Sequence, residues 1–90
     1  MKTHYQIRVS GKVQGVFYRA STQTEAMKFD IKGFVENESN GDVYIEAEGT
    51  EEQLKALITW LWKGPDRAIV KSVQVAVGEL KNYHNFIIRR

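Results

Sequence analysis

The sequence predicts an α+β fold in the order β-α-β-β-α-β, with two helices on one face of a mainly antiparallel sheet and a short extra C-terminal strand. Three observations carry that expectation. Apolar residues alternate with polar ones near both ends of the chain and again at 73–77. Two stretches of helical spacing separate the alternating runs, the second opening on Thr50-Glu51-Glu52-Gln53, a capping box. Between the helices, Asn40-Gly41 joins two short runs as a hairpin turn does.

Tyr5, Ile7 and Val9 alternate with Gln6, Arg8 and Ser10, the period of a half-buried first strand. Gly11-Lys12-Val13-Gln14-Gly15 then leads into the first helix, where Ala20, Met27 and Ile31, with Thr24 between, recur at helical spacing. Gly33 is expected to stop that helix. Residues 34–38 and 42–48 read as the hairpin. Leu54, Leu57, Ile58 and Leu61 form the apolar stripe of the second helix, which Gly64-Pro65 ends. Val73, Val75 and Val77 alternate as a further strand, and Phe86 and Ile88 begin the last, with Ile87 and Arg89 on its other face. The order is that of the ferredoxin-like folds, which host RNA binders, metal carriers, regulatory modules and enzymes. Function must come from a site.

The hairpin register bears on that site. A two-residue Asn40-Gly41 turn would set Glu36 and Glu38 on the face of Val43, Ile45 and Ala47, two carboxylates in the core. A three-residue loop, Ser39-Asn40-Gly41 with glycine in a left-handed position, pairs Asn37 with Val43 and Val35 with Ile45 and sends the glutamates to solvent. Asn37 then faces the helices, half-buried, opposite the glycine loop.

Ninety residues suffice for a single domain, expected over 1–90, and neither a repeat nor a linker interrupts it. The absence of cysteine excludes disulfides and thiolate chemistry. No signal-peptide pattern follows Met1, and the most apolar stretch, 56–62, is too short to span a bilayer. A cytoplasmic location is therefore expected. The net charge of +2 leans toward anionic partners without implying nucleic acid.

The glycine segment joins a strand to a helix N-terminus, where backbone N–H groups and the helix dipole favour an anion. Arg19 stands at the start of that helix with a planar fork of donors suited to phosphate. Spacing leaves two readings open, turn glycines with a solvated charge or an anion site. A cation at a helix N-terminus is unfavourable without a bound anion, which weighs toward the second.

Gly11-Lys12-Val13-Gln14-Gly15-Val16-Phe17-Tyr18-Arg19 resembles the acylphosphatase signature G-x-V-Q-G-V-x-[FY]-R. Gly33-Phe34-Val35-Glu36-Asn37, with Gly41, Val43 and Gly49 beyond, is similar to the family's second signature. The resemblance implies an acylphosphatase that hydrolyses acyl phosphates to a carboxylate and inorganic phosphate. It implies that Gln14, Gly15, Val16, Phe17 and Tyr18, with Arg19, cradle the phosphate, and that Asn37 positions the attacking water. It also implies that no metal, cofactor or covalent intermediate takes part. Partners are then a small acyl phosphate and product phosphate, with neither nucleic acid nor membrane, on a monomer. Three places depart from the family's usual residues. Glu36 puts affinity for an anionic substrate in question, and Phe17 the shape of the loop or the acyl-group side. The end Ile88-Arg89-Arg90, where the family has an aromatic residue, does the same for the contacts of the C-terminus with the site.

His4 and His84 are expected at the surface, since neither shares metal-ligand spacing with a carboxylate. Glu46, Glu48, Glu51 and Glu52 read as strand-surface and helix-end charges, Lys12 as a solvated side chain, and one of Trp60 and Trp62 as partly exposed. Two rivals remain: a non-catalytic anion-binding regulatory domain, and an RNA-binding module of the same topology. The acidic strand at 42–48 lacks the aromatic-basic pattern the latter requires.

Overall fold

The computed structural model describes residues 1–90. Its elements are β1 (Thr3–Lys12), α1 (Tyr18–Lys28), β2 (Lys32–Asn37), β3 (Val43–Gly49), α2 (Glu51–Lys63), β4 (Ile69–Gly78) and β5 (Phe86–Arg89). The strands form one sheet in the order β4-β1-β3-β2-β5. Neighbours are antiparallel except β2 and β5, which run parallel. This is the predicted α+β order with its extra strand.

Alternation decides which face each strand buries. Ile7 and Val9 of β1 sit opposite Ile45 and Val43 of β3, and all four are fully buried with Val35. Leu54, Leu57 and Leu61 of α2 complete this core, under the capping box that Thr50 and Gln53 form at the helix start. The hairpin register is the predicted one: Asn37 pairs with Val43 and Val35 with Ile45, and Gly41 takes a positive φ of 97°. In β4 the valines alternate as expected, but it is an edge strand, and Val75 and Val77 are exposed. Trp62 is exposed, whereas Trp60 packs on Tyr18 with ring centroids 5.7 Å apart.

Helix α1 departs from the expected stripe. Tyr18, Thr22 and Ala26 are its buried residues, while Met27 is 65% exposed and Ile31 lies beyond the helix. Thr22 can take a core position because its hydroxyl donates to the Tyr18 carbonyl at 2.8 Å, leaving its methyl to pack. Gly33 does not stop the helix. The chain turns at Asp30, φ 58°, and Gly33 lies inside β2 with φ 147°. A Cβ there would fall 1.8 Å from the Glu46 carbonyl oxygen, so glycine permits the close approach of β3. Gly11 likewise belongs to β1, at a register shift against β4, and only Gly15 lies in the loop that follows.

The face of the sheet away from the helices holds a larger correction. His4, Glu46 and Glu48 are buried there rather than solvated. His4 Nδ1 lies 2.7 Å from Glu48 Oε2, and Nε2 lies 3.0 Å from Glu46 Oε1 at an angle that makes no hydrogen bond. Residues 79–85 cross this face. Glu48 accepts from the Lys81 and Tyr83 amides at 2.6 and 3.1 Å, and Glu46 from the Tyr83 and Tyr44 hydroxyls at 2.9 and 2.8 Å. Buried carboxylates are tolerated here because each is supplied with donors.

These donors also set the titration. Burial raises both carboxyls, but the Tyr44 and Tyr83 hydroxyls at Glu46, and the Lys81 amide and His4 at Glu48, bring each below its ordinary 4.5. Tyr44 and Tyr83 are pushed up to about 12, by burial and by Glu46. Because the carboxyls are depressed in the folded chain, their stabilisation is present above pH 4.5 and fades as pH falls through the folded values. Glu48→Gln is expected to cost about 1–3 kcal/mol at neutral pH, since an amide meets two backbone donors with one acceptor. Urea midpoints at pH 7 and at about pH 3.5 check this: the parent should lose more stability between them than the variant. Equal losses would remove Glu48 from the acid response.

Candidate active site

Residues 13–17 connect β1 to α1 as a loop anchored from below. Val13 and Val16 are buried, and the Tyr18 side chain enters the core, where its hydroxyl donates to the Leu61 carbonyl at 2.6 Å. Burial raises the Tyr18 hydroxyl well above its ordinary range, so it stays a neutral donor. With these side chains turned inward, backbone lines the outside. Gly15 and Phe17 both adopt left-handed conformations, φ 73° and 63°. The amides of Gln14, Gly15, Val16 and Phe17 donate to no other group of the chain, and no side chain caps α1. Unpaired amides at an open helix N-terminus form an anion site by geometry and dipole together.

A cavity of about 490 Å³ opens over this loop, lined by Gln14, Gly15, Phe17, Tyr18 and Arg19 together with Asn37 of β2. Val16 is the one candidate residue absent from the lining, because its side chain belongs to the core. Arg19 Nη1 donates to the Arg89 carbonyl at 3.1 Å, and Arg19 forms no ion pair. The first turn of α1 carries no acidic residue to neutralise it. The cavity therefore gathers free donors and a free cation.

Asn37 reaches this cavity, as its register required, but it is exposed rather than half-buried, and its amide bonds to no protein group. Gln14 explains how the two segments stay together. Its side-chain amide donates to the Glu38 and Asp42 carbonyls at 2.8 and 2.9 Å, clamping the loop to the hairpin just past Asn37. The Gln14 side chain thus grips the hairpin; only its backbone amide is free for a ligand. Glu36 points to the opposite face, with Arg89 Nη1 at 4.0 Å, so its charge is turned away from the cavity.

The C-terminal contacts with the site, left open by the sequence, are a wall supplied by Ile88 and Arg90 and the Arg89 carbonyl that steadies Arg19. The alternation of Phe86 and Ile88 assigns their faces, yet nothing local announces that β5 runs parallel to β2 beside the site. Two expected sets stay apart from the cavity. His4 and the acidic pair lie across the sheet, and His84 is exposed. The outer face, crossed by 79–85, carries the buried carboxylates together with Phe34, whose ring lies 6.0 Å from those of Tyr44 and Tyr83.

The Acylphosphatase family model matches residues 5–88. An acylphosphatase of Pseudomonas paraeruginosa is 46% identical over 82 residues, covering 91% of this chain and 90% of that protein. The crystal structure of acylphosphatase from Bacillus subtilis superposes with a TM-score of 0.96 at 35% identity, covering 100% of both chains. An acylphosphatase structure from Coxiella burnetii gives 0.95 at 39% identity, over 98% of this chain and 93% of that one.

Proposed function

The chain belongs to the acylphosphatase family and acts as an acylphosphatase; from that premise, we propose how its residues divide the work. The phosphate of a small acyl phosphate sits on the amides of residues 14–18, with the Arg19 guanidinium closing on its oxygens. Asn37, across the cavity, holds a water in line with the acyl oxygen. Attack on phosphorus breaks the bond to the acyl oxygen, releasing a carboxylate and inorganic phosphate. The leaving group is already a good one, so placing the water and stabilising charge on the phosphoryl oxygens supply the catalysis. The observation carrying this is the cavity that joins unpaired amides, an ion-pair-free arginine and an unbonded asparagine amide.

Hydrolysis of acetyl phosphate or benzoyl phosphate by purified protein, with a phosphomonoester as control, is the test. Acyl phosphates should turn over and the monoester should not. Phosphate binding without turnover would instead identify an anion-binding domain.

The proposal includes a single domain over residues 1–90, acting as a cytoplasmic monomer without metal, cofactor, nucleic acid or membrane. No helix is long and apolar enough to cross a membrane. Metal independence gives a direct expectation: activity survives exhaustive EDTA treatment. Loss restored by a divalent ion would overturn it, because the reaction would then need a Lewis acid that this mechanism omits.

A further inference from the structure

Phe17 is placed at a cost that folding does not repay. Its backbone is left-handed, φ 63° and ψ 24°, a conformation disfavoured for bulky residues and natural for glycine. Two positions earlier the same loop meets the same demand with Gly15. At 17 the chain keeps a phenyl ring instead and leaves it 80% exposed. The ring takes part in no aromatic pair and no core cluster. It does line the cavity, as do Val13 and Ile88, on the loop that carries the phosphate donors. Strain and apolar exposure coincide at one residue beside the site, which points to use of the side chain in binding.

We propose that Phe17 is the specificity-determining contact for the acyl group, favouring aromatic and bulky apolar acyl phosphates over small ones. The inference rests on the function proposed above and adds the substrate class. With phosphate on the loop amides, the acyl group leaves the anion site toward the apolar lining, where the Phe17 ring offers a face for it. A planar or branched acyl group covers that ring; an acetyl group is too small to do so.

The test is the ratio of kcat/KM for benzoyl phosphate to that for acetyl phosphate, in the parent, Phe17→Gly and Phe17→Leu. Glycine relieves the left-handed strain while removing the ring, so the loop keeps its shape. Phe17→Gly should lower the ratio about tenfold, the scale of one aromatic contact. Phe17→Leu should hold it within about threefold of the parent; a fall in both variants assigns the contact to the ring face and supports the proposal equally. An unchanged ratio in Phe17→Gly, whether both substrates weaken together or neither does, overturns it. If the parent hydrolyses neither substrate, the reading of the site fails and this inference with it, a result distinct from an unchanged ratio.

Discussion

Arg19→Ala is expected to lower kcat/KM for benzoyl phosphate by roughly two to three orders of magnitude, the scale for deleting a major electrostatic donor. The chain should remain folded, because Arg19 is only partly buried and its one hydrogen bond runs to the exposed end of β5. The size of the effect follows from isolation. No carboxylate neutralises this guanidinium, so its full charge is available to the phosphoryl oxygens and to the negative charge that builds on the acyl oxygen as its bond to phosphorus breaks. Arg19→Lys should rescue poorly, since an ammonium cannot donate to the Arg89 carbonyl and engage two phosphate oxygens in one plane. Initial rates beside a circular dichroism check of folding measure both. Near-parental rates in a folded Arg19→Ala protein would contradict its place as the phosphate ligand.

Asn37→Ala separates positioning from binding. The rate should fall roughly a hundredfold or more, while inorganic phosphate binds within roughly threefold of the parent. The asymmetry is expected because water placement matters in the transition state, whereas the proposed contacts of loop amides and Arg19 with phosphate are made already in the ground state. Structure lowers the risk of a trivial loss: Asn37 is exposed, and its side chain holds no hydrogen bond that folding needs. Trp60 packs on Tyr18, the first residue of α1, and offers a fluorescence reporter for the titration. Affinity collapsing in step with the rate would make Asn37 a phosphate ligand. No change in either would remove it from the reaction.

How far the sequence reached depends on where each constraint is written. The hairpin register was legible because burying Glu36 and Glu38 is expensive, and that cost alone selected the loop that places Asn37 at the cavity. Helix α2 was legible from its capping box and leucine stripe. Helix α1 hid its inner face because Thr22 counts as polar until its hydroxyl is seen satisfied by its own helix. His4, Glu46 and Glu48 misled for a related reason. Glu48 is supplied by backbone amides of 79–85, a segment without periodicity, and such donors have no residue-type signature. His4 then pairs with Glu48, and Glu46 takes tyrosine hydroxyls from two segments far apart in the chain. The placement of Arg19 and Asn37 at one cavity was legible from motif and register. The gripping role of Gln14 and the wall from β5 required the fold itself, since both depend on segments far apart in the chain.

The bond between Arg19 and the Arg89 carbonyl spans a sequence separation of 70 residues, and β5 is only four residues long, paired on one side alone. Closing so long a loop is entropically costly, and a short edge strand opens at a small fraction of the free energy needed to unfold the whole chain. Two thermodynamic thresholds are therefore expected in this molecule. One belongs to the sheet and helices, the other to the docking of a single strand that steadies the Arg19 guanidinium. Activity should report the lower of them, so that heat or denaturant silences a molecule whose core is intact. Phosphate that engages Arg19 in its docked position, as proposed, should draw the two thresholds together.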